Sequence, residues 1–136
     1  LEVRSWRHEA LVLIAAADSR LAGRKRLQAA DFKDELWLLR EPGSGSREVV
    51  EGEMARLEIQ PKRTLEAGSN EIIVQMVAAG LGIAIVPKVA AADSLALGRI
   101  VALELDAGPL SRELFRLRLP RRPQSQSALA FEAMIG

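Results

Sequence analysis

The 136 residues contain no cysteine, which excludes disulfides and thiolate metal sites and suits a reducing compartment. Histidine occurs once, as His8, inside the polar opening "RSWRHEA", where a solvated residue is expected rather than a general base. With a single imidazole and no thiol, no serine has an obvious His-acid relay within this chain. Aromatic residues are scarce: three Phe, two Trp and no Tyr. Trp37 falls in an apolar run and is expected in the core, whereas Trp6, next to arginines, is expected to be partly buried. No apolar run approaches the roughly 18 residues that span a bilayer, and no secretion signal is visible, so a cytoplasmic protein without a membrane partner is expected. An excess of either charge is also missing. The net charge is +1 and the basic residues are scattered, which argues against this chain being the main nucleic-acid-binding surface. Carboxylates are dispersed without metal-ligand spacing, so no metal site and no cofactor are expected. Binding is favoured over turnover.

What is present is apolar sequence in short blocks. Hydrophobic residues make up 49% of the chain, enough to bury a core. "LVLIAAA" at residues 11–17 and "ELWLLRE" at 35–41 read as buried strands, with a basic connection and a short turn near 29–31 between them. Pro42 and Gly43 end the second run. A helix is expected over 46–58, where Val50, Met54 and Leu57 form one stripe. Residues 62–67 are a weak strand candidate. "GSNEIIVQMVAAGLG" reads as a helix capped by Ser69, with Ile72, Ile73, Met76 and Val77 inward and Gly80 at the C′ position. A strand at 83–87, a short helix at 89–97 and a strand at 99–105 follow. "ELFRLRLP" alternates as a strand with one wet face, and "SQSALAFEAMIG" reads as a last helix. Alternating strands and helices mean an α/β fold.

Two junctions from strand to helix carry small polar residues. "EPGSGSRE" offers Gly43, Ser44, Gly45 and Ser46, and "EAGSNE" offers Gly68, Ser69 and Asn70. Helix starts expose unpaired N–H groups and about half a positive charge, so both loops could receive a carboxylate or small oxyanion. In open α/β sheets such loops gather beyond the carboxyl ends of strands. The same residues are also what any helix start uses as caps. Other anion motifs are absent: "GSGSRE" lacks the third glycine of a dinucleotide fingerprint, and no GxxxxGK occurs.

Taken in order, "LVLIAAADSRLAGRKRLQAADFKDELWLLREPGSGSRE", "LEAGSNEIIVQMVAAGLGIAIVPKVAAADSLALGRIVALEL" and "PLSRELFRLRLPRRPQSQSALAFEAM" resemble the effector domain of LysR-type transcriptional regulators. "REPGSGSRE" and "EAGSNEIIVQMVAAGLGIAIVP" are the specific parts, and the likeness runs through nearly the whole chain. The resemblance implies a periplasmic-binding-protein-like fold (type II), in which two α/β subdomains joined by crossover strands flank an effector cleft. It implies that residues 11–105 form the second, Rossmann-like subdomain and residues 110–136 return to the first. Gly43, Ser44, Gly45, Ser46, Gly68, Ser69 and Asn70 would then face the cleft. Arg47 is not carried over, and its side chain is expected toward solvent.

The function implied is that of a small-molecule sensing and oligomerisation module, not an enzyme. The effector would be polar or anionic. DNA would be bound only through a helix-turn-helix that this sequence does not contain, so a fragment is expected. A stand-alone solute-binding protein of the same fold is the competing reading, and a signal peptide upstream would favour it. A homo-oligomer is expected, because Leu114, Phe115 and Leu117 would need cover from another copy.

Overall fold

The computed structural model describes the backbone of residues 8–113 and the side chains of residues 10–110. The chain divides into a unit of Ala10–Leu110 and a second unit made of Leu1–Glu9 and Ser111–Gly136. The strand expected within 113–120, the last helix and the oligomer surface at Leu114, Phe115 and Leu117 lie outside the described residues, as do Trp6 and the side chain of His8.

The continuous apolar runs become strands because both faces of the sheet are covered. β1 (His8–Ala16) starts three residues before the expected run. It pairs antiparallel with β4 (Ala84–Pro87) on one side, Leu11 opposite Pro87 through Ile14 opposite Ala84. On its other side it pairs antiparallel with β5 (Ile100–Ala102), Ile14 opposite Ala102. β2 (Leu36–Arg40) pairs parallel with β3 (Arg63–Ala67), Arg40 opposite Ala67. Two bonds join these ladders: Leu38 N donates to Ile83 O at 2.9 Å and Ile83 N donates to Leu36 O at 2.9 Å. The resulting order is β3-β2-β4-β1-β5. β6 (Leu110–Glu113) closes the described chain.

β5 is shorter than the expected 99–105 for a readable reason. Leu103 still donates to Leu13 O at 2.8 Å, but the next backbone turns to a new partner, with Leu27 N on Glu104 O and Asp106 N on Leu27 O, each at 3.0 Å. The apolar run is real, but it serves two neighbours in succession.

Side-chain alternation sorts each run onto two layers. Leu13, Ala15, Trp37, Leu39, Ile83 and Ile85 join Val50 and Met54 of α1 (Gly45–Arg56) and the linker residues Leu21, Leu27 and Phe32. Ile14, Leu38, Ala84, Val86 and Ile100 join Ile73, Val74 and Val77 of α2 (Asn70–Ala78) and Ala91 of α3 (Lys88–Ala96). Trp37 is fully buried, as its position in an apolar strand predicts, and meets Phe32 edge-on with ring centroids 5.9 Å apart. The α2 expectation needs one correction. Ile72 is half exposed and Val74 is buried in its place. Three consecutive apolar residues, Ile72, Ile73 and Val74, give no phase of their own, so the packing partner chooses it.

Candidate functional site

Chain order and sheet order together build the site. β2 leads into α1, α1 returns to β3, and β3 leads into α2. Because β2 and β3 are parallel neighbours, their carboxyl ends lie side by side, and both following helices start at the same sheet edge. The seven residues singled out in the sequence occupy these two junctions.

At the first junction, Gly43 turns the chain with φ at +90°, a conformation L side chains rarely adopt. Ser44 is the N-cap of α1, and its Oγ accepts from Arg47 N at 2.9 Å. Gly45 and Ser46 are the first two helical residues. At the second, Gly68 precedes Ser69, the N-cap of α2, whose Oγ accepts from Ile72 N at 3.1 Å. Asn70 opens that helix and reaches across: its Nδ2 donates to Ser46 Oγ at 3.4 Å. The two loops are thus brought together by a side-chain contact between residues 24 apart in sequence.

The first two amides of each helix have no intrahelical acceptor. Those of Gly45, Ser46, Asn70 and Glu71 have no backbone or side-chain partner among the described residues. They sit on an accessible face: Gly43, Gly45 and Gly68 are exposed, and a Cβ added to any of them meets nothing within 4 Å. Each helix also carries a carboxylate in its first turn, Glu48 and Glu71, which favours the positive end of the dipole. Glu41 precedes the first loop; a hydrogen bond from Arg40 holds its carboxyl below the usual range, so it stays ionised.

Arg47 differs from expectation. Its side chain is only 17% exposed rather than facing solvent. Its Nη1 donates to Arg40 O at 2.8 Å and lies 3.4 Å from Glu66 Oε2, while Nε donates to Glu51 Oε2 at 2.9 Å. The hydrogen bond to Glu51, followed by its charge and by Glu66, raises the pKa of the guanidinium further. Sequence could offer only the spacing of Arg47 and Glu51; the bonds to Arg40 and Glu66 depend on the parallel pairing of β2 and β3.

At the opposite ends of these strands, Asp18, Arg20, Glu35 and Arg63 line a polar hollow of about 390 Å³. Two of its cations are already engaged: Arg20 pairs with Glu35 at 3.0 Å, and Arg63 donates to Asp34 O at 2.6 Å. Among the described residues no group of three or more metal-ligating side chains forms, and no helix is long and apolar enough to cross a membrane.

Comparison with known proteins gives a consistent picture. The profile of the LysR substrate binding domain matches residues 1–136. The chain is 36% identical over 105 residues to the HTH-type transcriptional regulator CbbR of Rhodospirillum rubrum, covering 77% of this chain and 35% of that protein. It is 38% identical over 109 residues to CbbR of Xanthobacter flavus, covering 79% of this chain and 33% of that protein. The chain therefore spans about a third of the length of these two regulators. Among solved structures, the regulatory domain of CcmR from Synechocystis PCC6803 in complex with 2-PG superposes with a TM-score of 0.70 at 28% identity, covering 95% of this chain and 64% of that one.

Proposed function

This chain belongs to the LysR substrate-binding domain family, and from that premise we propose that it is the effector-sensing and oligomerisation part of a bacterial LysR-type DNA-binding regulator. The fold is the α/β, periplasmic-binding-protein-like one of the family's regulatory domains. Residues 11–105 are read as its second subdomain and residues 110–136 as a return to the first.

One observation carries the reading: two capped helix starts converge at neighbouring strand ends and touch through Asn70 and Ser46. Gly43, Ser44, Gly45, Ser46, Gly68, Ser69 and Asn70 form one wall of the effector site. The unpaired amides and positive dipole ends favour a small, polar, anionic effector. Ser44 and Ser69 accept bonds from their own helices, so their hydroxyl oxygens serve as caps, and among the described residues neither hydroxyl is hydrogen-bonded to a histidine or carboxylate side chain. The effector is bound, not transformed. Its binding shifts a conformational equilibrium by as much as it prefers one state over the other. The DNA contacts belong to the rest of the regulator, which acts in the cytoplasm.

The test is a thermal-shift screen of the full-length protein against small carboxylates and phosphorylated compounds, with 2-PG first and neutral and cationic analogues as controls. A bound effector at a hundred times its Kd stabilises by about 2.7 kcal/mol, well within detection. Anions should raise Tm. Stabilisation by apolar or cationic compounds alone would overturn the anion reading.

A further inference from the structure

Resting on that reading of the two helix starts, we propose that Arg47 is a positioning residue for effector binding: it fixes the distance between the starts of α1 and α2 and leaves the effector to the amides. Its guanidinium touches three elements at once. It holds the last carbonyl of β2 through Arg40, the flank of α1 through Glu51, and the end of β3 through Glu66. Glu66 lies three residues before Ser69, so the position of β3 is handed directly to the second helix start.

The exposures support this division of labour. The guanidinium side is 17% exposed, whereas Glu51 and Glu66 are 53% and 54% exposed. The cation is therefore the inner hub and the carboxylates are its outer braces. A planar fork can serve a carbonyl and two carboxylates together; a lysine ammonium is a single point on a flexible stem and cannot span them. With two carboxylates already on it, Arg47 offers no spare charge to an effector. Recognition of the anion falls to the free amides of Gly45, Ser46, Asn70 and Glu71.

The experiment compares full-length wild type with Arg47→Met, Arg47→Lys and Glu66→Ala. Calorimetry measures the Kd for 2-PG, urea unfolding measures stability, and hydrogen exchange follows the peptide spanning residues 68–74. Arg47→Met should weaken binding roughly three- to thirtyfold and speed exchange in that peptide, whereas the polar bonds of the Arg47 side chain go to Arg40, Glu51 and Glu66. Arg47→Lys should recover the unfolding midpoint without recovering affinity. Wild-type affinity in Arg47→Met, or full recovery of affinity by Arg47→Lys, overturns the proposal. If Arg47→Met does not fold, Glu66→Ala, which removes an exposed carboxylate, decides: it should bind more weakly, and unchanged affinity overturns the proposal. If wild type itself binds neither 2-PG nor any other anion, the effector reading fails separately. Exchange in residues 68–74 then judges Arg47 alone, and an unchanged rate in Arg47→Met rejects its positioning role.

Discussion

Gly82 lies directly against the carbonyl oxygen of Leu36, too close for any Cβ to stand between them. That contact sits where β2 meets β4, beside the bond from Ile83 N to Leu36 O. A methyl group there has backbone to displace, not a flexible side-chain end. Gly82→Ala should therefore cost about 1–3 kcal/mol, the range for overpacking a tight site. Urea unfolding measures it, and a loss within error of zero would mean the two ladders are less tightly joined than their geometry shows.

The two N-caps make a separate prediction about stability. Ser44 and Ser69 each satisfy one orphan amide. Ser44→Ala and Ser69→Ala should each lose about 1 kcal/mol, and threonine should restore most of it. Because the caps lie in the loops proposed to receive the effector, affinity must be compared at temperatures where every variant is folded. A serine variant that keeps wild-type stability would show that its hydroxyl is not capping.

Much of this could be read from residue order. Ser69 and Gly80 bracket α2 as capping chemistry demands, with Gly80 at φ +86°. The strands were legible because short apolar runs end at Asp18, Pro42 and Pro87. What was not legible depends on contacts distant in sequence. The antiparallel seating of β1 between β4 and β5 leaves no local trace, since its run is apolar on both faces. The role of Arg47 was hidden for the same reason: Glu66, 19 residues away, becomes its neighbour only through strand pairing. Within the candidate site, composition found both loops, but only the fold joins Ser46 to Asn70.

A pH effect should arise in the linker before β2. The Asp31 carboxylate accepts from Gln28 N at 2.8 Å and from Arg24 Nη2 at 2.9 Å. The backbone bond from Gln28 chiefly, then Arg24, lowers its pKa below the ordinary value. A carboxylate whose folded pKa is depressed contributes stability that is present above the unfolded pKa and is lost as pH falls through the folded one. Wild type should thus exceed Asp31→Asn in Tm at neutral pH, and the gap should narrow as pH falls from about 5 through the ordinary aspartate value of 3.8 and on to the lower folded value. A gap that stays constant through that range would assign the difference to packing instead of charge.

The sharpest separation of binding from folding uses the glycines of the site. Gly45 and Gly68 both have backbone conformations open to alanine, and an added Cβ meets nothing within 4 Å at either position. Gly45 is also the first residue of α1, where alanine can only help the helix, by at most about 1 kcal/mol. Gly45→Ala and Gly68→Ala should therefore unfold at or above the wild-type urea concentration. If an anion seats against these amides, the same methyl groups stand in its path and should weaken it, whereas a purely capping role leaves affinity unchanged. Calorimetry with 2-PG on the full-length variants distinguishes the two. Undiminished affinity in both would show that the effector does not approach the backbone at these helix starts, however well they are arranged to receive it.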